Sequence, residues 1–283
     1  MADAVTTETA AVPARVQEAA TVILLRDGEN GLETWLLRRV EKMAFAAGMS
    51  VFPGGSVDPG DADTAAAGSG YPGNLSSIAA QLETDVSHAG ALVCAAIRET
   101  FEEVGVLLSR PAALASEQAR TDVEDGRRTF LSLLSELQVE LDESAIRPWA
   151  RWITPVGAPI RFDTYFFVAV VPDGATAASV TGEASHADWI PISEALSEFE
   201  RGERPMLPPT FTNLRQVAQH TTAAEVLSAA AGREIRQVAP VVHRSETGEV
   251  TLVIDGAEVK MPGGLPEVPD PVTRTGRPEQ GSN

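Results

Sequence analysis

Residues 89–108 constrain the fold more than any other part of the chain. At about 100° per residue, Val93, Ile97, Phe101, Val104 and Leu108 share one side of a helix, while Glu99, Glu102 and Glu103 share the other. Gly105 closes this helix and Pro111 stops it from continuing. Such a helix requires an apolar layer under one side. On the other side, like charges three and four positions apart repel by a few tenths of a kcal/mol per pair. A solvated acidic face is the plain reading of that pattern. The chemical reading is a hard divalent cation, Mg²⁺ or Mn²⁺, held by carboxylate oxygens. Arg98 lies four positions before Glu102 and can neutralise and orient it.

The rest of the chain supplies the layer. Residues 19–26, AATVILLR, read as a buried strand. A turn at 29–31 leads into a second strand at 33–39, so the pair predicts a hairpin. A short strand ends in the tight loop Phe52-Pro53-Gly54-Gly55, where glycines let backbone carbonyls approach a ligand closely. TYFFVAVV, within 152–171, is the most deeply apolar strand. Residues 192–201 and 210–231 read as helices, 114–143 as mixed helix, and 238–259 as a late hairpin turning at Glu246-Thr247-Gly248. Residues 58–88 show no strong period and read as a loop insertion carrying Asp58 and Asp61. A tail over 1–17 and a Pro/Gly-rich end over 262–283 leave one domain over 18–261. Within it lie the insertion, about 62–88, and a helical addition, about 112–145. Strands and helices interleave, which predicts an α/β layered fold.

Charge narrows the function. The chain has 22 basic and 40 acidic side chains, a net charge of −18. That opposes a general nucleic-acid or anionic-membrane binder, which needs a basic footprint. An anionic ligand would need a local cation, either a metal or a few placed arginines. The lone cysteine, Cys94, allows no intramolecular disulfide and no cysteine-rich zinc site. With no secretory or membrane-spanning pattern, the expectation is a cytoplasmic protein.

Gly54-Gly55-Ser56-Val57-Asp58-Pro59-Gly60-Asp61, followed by Arg98-Glu99-Thr100-Phe101-Glu102-Glu103-Val104-Gly105-Val106, resembles the Nudix box. The second half carries all its fixed positions. In the first half Asp61 stands where the family has Glu, and a long insertion separates it from Arg98. VFPGGSVDPGD, CAAIRETFEEVGVLLSRP, WITP, RFDTYFF and LPPT are similar to the animal peroxisomal coenzyme A diphosphatase branch, which also carries an insertion in the box. Arg39, Gly48, Phe52, Pro53, Gly54 and Gly55 match the coenzyme A-type signature upstream, while Val40 and Ala44 depart from it.

The resemblance implies an α/β/α sandwich around a mixed β-sheet, with added helices and a long loop insertion. It implies hydrolysis of a small-molecule nucleoside diphosphate derivative with Mg²⁺ or Mn²⁺. The metal ligands would be Glu99, Glu102, Glu103 and the carbonyl of Gly54, with Arg98 holding the carboxylates. The general base is shared between Glu99 and Glu183. Arg38, Arg39, Phe45, Gly55 and Arg161 are the substrate-binding set. Coenzyme A or its thioesters is the first substrate reading. ADP-ribose, a dinucleotide, a modified nucleotide, or a binding module without catalysis are the alternatives. No nucleic acid or membrane partner is implied, and a homodimer is left open.

Overall fold

The computed structural model describes residues 15–40, 46–68, 72–156, 158, 160–172, 174–175, 177, 184–244, 250–254 and 256–259. Strand β1 (Val16–Gly28) turns tightly into β2 (Gly31–Arg39), with Gly28 opposite Gly31 in antiparallel register. The hairpin is the one the sequence predicts, although β1 reaches back to Val16, inside the stretch read as a tail. Two short strands follow, β3 (Ser50–Val51) and β4 (Gly54–Ser56). The helices α1 (Asp61–Gly68), α2 (Pro72–Gln81) and α3 (Val86–Val104) come next. A small antiparallel pair, β5 (Ser109–Arg110) and β6 (Glu140–Leu141), brackets α4 (Glu117–Glu124) and α5 (Phe130–Leu137). Then come β7 (Ile146–Ile153), β8 (Arg161–Val170), β9 (Ala184–Pro191), α6 (Ile192–Glu200), α7 (Pro208–Val217) and α8 (Ala223–Ala230). The last described strands are β10 (Gln237–Val238), β11 (Val241–Arg244), β12 (Val250–Ile254) and β13 (Ala257–Val259).

The main sheet runs β10-β7-β8-β1-β2-β3, with β4 on β1 and β9 on β2. It is mixed: β1 pairs β8 in parallel and β2 antiparallel. Successive side chains of a strand point to opposite faces, so β1 feeds two cores. Ala20, Val22 and Leu24 join the layer of α1, α2, α3 and α5. Ile23 and Leu25 join the layer of α6, α7 and α8. This is the expected α/β/α sandwich. The strands β11, β12 and β13 form a separate sheet.

Helix α3 has a defined start and stop. Asp85 accepts the N–H of His88 at 2.8 Å. Gly105 adopts φ 75°, which only glycine takes without cost, and donates its N–H to Phe101 O.

Several elements differ from the sequence reading. The insertion is helical where a loop was expected. The sequence of α1, DADTAAAG, has almost no amphipathic signal, but Ala65, Leu75, Ile78 and Ala79 are buried in the core with α3. Packing, not periodicity, holds these short helices. Residues 89–98 of α3 are accordingly buried on all sides, and a carboxylate face exists only in its last turns. Residues 114–143 form a buried layer: Val123, Phe130, Leu133 and Leu134 are in the core, and Phe130 stacks on Phe101 at 6.0 Å. The helix expected over 210–231 is two helices, α7 and α8, because Thr222 caps a new start by accepting Glu225 N–H at 3.2 Å. The expected turn at 246–248 and the end over 262–283 lie outside the described residues.

Candidate functional site

The site is built where the last turns of α3 pass under the β4 loop. Gly54 donates its N–H to Glu103 Oε2 at 2.8 Å, which ties the loop to the helix. Space requires glycine at 54, where the neighbours are backbone, and at 55 it keeps room for the Glu99 carboxylate. A Cβ at Gly54 would meet the carbonyl oxygen of Ala20 at 2.5 Å, and one at Gly55 would meet the Glu99 carboxylate at 2.6 Å.

Arg98 is the hub. It is buried at 7 % exposure, so its charge must be matched inside the protein. Asp61 does this, accepting from Nε and Nη2 at 3.0 Å each. Asp61 is itself buried and also accepts the N–H of Asp58 at 2.7 Å and the Cys94 thiol at 3.5 Å. The other side of Arg98 donates to Glu99 at 2.8 Å and to Glu102 at 3.4 Å, and Nη2 also reaches Ser56 O at 3.0 Å. Asp61, Arg98, Glu99 and Glu102 thus form one chain of charge-assisted bonds.

Burial works against the Arg98 charge, but the carboxylates of Asp61, Glu99 and Glu102 more than offset it and hold the guanidinium firmly protonated. Burial pushes the Glu99 carboxyl up to about 7, against the pull of Arg98, with Glu102 adding to the rise. Glu102 is also raised, again chiefly by burial. These are under-compensated carboxylates, and a divalent cation is the group that suits them. Among the described residues no three Asp, Glu, His or Cys side chains converge into a finished cage. Glu103 is turned to Gly54, while Glu99 and Glu102 rest on Arg98. The donor chemistry fits a hard cation, with hard oxygens beside a close-approaching glycine backbone.

The structure therefore brings together Arg98, Glu99, Glu102, Glu103, Gly54, Gly55 and Asp61. It distributes the basic residues differently. By strand alternation Arg161 falls with Tyr165 on the α3 side, while Arg39 ends β2 at an irregularity in its pairing with β9. Arg161 Nε donates to Thr154 O at 3.1 Å. Arg38 is exposed and falls with Leu36 on the opposite face, on the rung of Ser50 and His186, so it is not gathered with the carboxylates. Phe45 and Glu183 lie outside the described residues. Sequence reasoning did not single out Arg120, a buried arginine of α4 that donates to the backbone carbonyl of Glu102.

The family described as NUDT19 Nudix domain matches residues 71–217. The chain belongs to this Nudix family. The acyl-coenzyme A diphosphatases NUDT19 of Xenopus laevis and Homo sapiens are 25% and 27% identical to it over 268 residues. These matches cover 80% and 79% of this chain, and 70% and 71% of theirs. A solved Nudix hydrolase from Alicyclobacillus acidocaldarius is 28% identical with a TM-score of 0.64, covering 76% of this chain and 96% of that one. The protein is thus a Nudix pyrophosphatase, and α3 carries the stretch that resembles the second half of the Nudix box. No helix among the described residues is long and apolar enough to cross a membrane.

Proposed function

We propose that this Nudix hydrolase is a divalent-cation-dependent diphosphatase that cleaves coenzyme A or acyl-coenzyme A to 3′,5′-ADP and (acyl-)4′-phosphopantetheine. The observation that carries the reading is the Asp61–Arg98–Glu99–Glu102 chain set against the Gly54-Gly55 loop in a protein of the NUDT19 branch. The named relatives act on acyl-coenzyme A, and the box of this chain has kept its charged residues.

Glu99, Glu102 and Glu103, with the Gly54 carbonyl, would hold Mg²⁺ or Mn²⁺. When bound, the ion offsets charge on the phosphoryl oxygens and lowers the pKa of a coordinated water. The chain supplies the rest. Arg98 fixes the Glu99 and Glu102 carboxylates so that they need not reorganise as charge develops. The attacking water loses a proton to a carboxylate oxygen of Glu99 or Glu183. Its oxygen bonds to one phosphorus, and the bridging oxygen leaves with the other phosphate. A base working near neutrality needs a pKa near the operating pH. Burial raises the Glu99 carboxyl in the metal-free protein, and a cation bound to the same carboxylate would pull it back down. Arg39, Arg161, Phe45 and Gly55 are the substrate contacts in this reading. Arg38, facing away, contributes at most at the rim. The buried, unpaired Cys94 suits the reducing cytoplasm.

The test is product analysis by mass spectrometry. The protein is incubated with Mg²⁺ or Mn²⁺ and coenzyme A, acyl-coenzyme A, ADP-ribose, NADH, diadenosine polyphosphates or nucleoside triphosphates, beside Glu102→Gln. Formation of 3′,5′-ADP and 4′-phosphopantetheine, reduced by roughly two orders of magnitude or more in the variant, is expected. Cleavage of another compound alone would discard the substrate. Undiminished turnover by Glu102→Gln would discard the site.

A further inference from the structure

We infer that Arg120, on the helical addition, is a positioning residue that caps the catalytic end of the Nudix helix and so sets its metal affinity. The inference rests on the metal-site reading above. It starts from unpaired backbone. The last carbonyls of a helix have no partner within it and must find one elsewhere. In α3 these carbonyls belong to the turn carrying Glu102 and Glu103. Gly105 N–H serves Phe101 O at 2.9 Å. Arg120 Nη1 serves Glu102 O. The guanidinium is thus bonded to the backbone of a proposed metal ligand, at the negative end of the helix dipole where a cation is favoured.

The rest of α4 is arranged to hold that guanidinium still. Arg120 is 3 % exposed. Glu117 accepts from Nη2 at 2.6 Å and Glu124 from Nη1 at 2.9 Å, so both flanking turns of α4 grip it. The Cδ of Arg120 lies 3.9 Å from where a Cβ on Gly105 would be, so its stem covers the glycine that ends the Nudix helix. Otherwise α4, EQARTDVE, is polar, and Val123 is the other residue it buries. With Val123 its only buried apolar side chain and Ala119 partly buried against the core, α4 gains little from apolar burial. Its one buried cation reaches the catalytic turn, and that contact accounts for its place in the fold. With the cap in place, the Glu102-Glu103 turn is ordered before metal arrives. Without it, metal binding must order the turn.

The test is Mn²⁺ titration of the substrate-free protein followed by electron paramagnetic resonance, with hydrogen exchange of the amides after Glu103 as a second readout. Arg120→Met is expected to weaken Mn²⁺ on the order of tenfold, the usual scale for residues that orient metal ligands. Exchange at Gly105 and Val106 should speed up. Arg120→Lys, which keeps the charge but cannot span the same partners, should fall between. The direction is diagnostic. Removing a nearby cation by electrostatics alone would tighten Mn²⁺. If Arg120→Met does not fold, Arg120→Lys carries the test, and wild-type affinity in it overturns the inference. So does unchanged or tighter Mn²⁺ binding by folded Arg120→Met. Loss of coenzyme A hydrolysis as a substrate reading leaves this measurement untouched. Failure of the wild-type protein to bind Mn²⁺ at all refutes the site on which both rest.

Discussion

The burial of single charges at one helix end sets the chemistry of this site. Arg98 and Asp61 are both buried; Arg98 is the ion-pair partner of Asp61, and Asp61, Glu99 and Glu102 together match Arg98. Glu99 is less fully matched, and its carboxyl sits at about 7 because burial outweighs the pull of Arg98. A raised carboxylate favours the protonated form in the folded state. With an ordinary value of 4.5, its contribution to stability is fully present below 4.5 and is lost as pH rises through 7. A divalent cation binds the ionised form and must displace that proton, so its stabilisation runs the opposite way. In EDTA, the part of the stability profile due to Glu99 should therefore fall between pH 4.5 and 7. The gap between melting temperatures with Mn²⁺ and with EDTA should widen over that window and level off above it. Thermal melts at half-unit pH steps check this, with Glu99→Gln as the control that flattens the dependence. A gap equally wide at pH 5 and pH 8 would show that Glu99 is not the proton that metal displaces.

At the scale of elements, α3 has a structural end and a chemical end, and its two caps separate them. Asp85 caps the start, far from the carboxylates. Asp85→Ala should cost about 1 kcal/mol of stability and leave kcat unchanged. Gly105 closes the turn that carries Glu102 and Glu103, at φ 75°. Gly105→Ala should cost about 1 kcal/mol as well, since alanine resists that conformation. Unlike Asp85→Ala, it should also lower kcat, because the disturbed turn carries two of the proposed metal ligands. Urea melts and initial rates on the two variants decide this, and equal kcat in both would detach the C-terminal turn from catalysis. The same helix shows what the sequence could reveal. Its apolar side, its carboxylates and its glycine stop follow from a local period, and so does the β1–β2 hairpin. The partner of Arg98 does not. Asp61 sits on a helix whose alanines and aspartates carry no usable period, and only the packing of α1 on α3 brings it home. Arg120 was invisible for a related reason: a cation on a polar helix reads as surface until tertiary structure buries it. The break between α7 and α8 was readable, because Thr222 and Glu225 form a capping pair that overrides the longer apolar pattern.

At the scale of the whole molecule, a net charge of −18 bears on the proposed substrate, which is itself polyanionic. Much of the positive charge is already spent internally. Arg98, Arg120 and Arg151 are each bound to carboxylates, as are Arg110, Arg127 and Arg128 on the surface. A divalent ion at the proposed site on α3 would offset only a small part of the remainder. At distances beyond the site, the proposed substrate, coenzyme A, would therefore meet a repulsive field, and the range of that field is set by salt. The Debye length falls from about 30 Å at 0.01 M to about 8 Å at 0.15 M. Contacts inside the cleft are shorter than either length and are screened far less. The expected result is that kcat/KM for coenzyme A rises roughly several-fold as KCl is raised from about 10 to about 150 mM at fixed free Mg²⁺. The value of kcat should stay constant, because repulsion acts on encounter and not on the bound complex. This is the reverse of the behaviour of a cationic funnel, in which salt weakens steering. A fall in kcat/KM with salt would mean that a local basic cleft outweighs the rest of the protein's charge at the distances where encounter is decided.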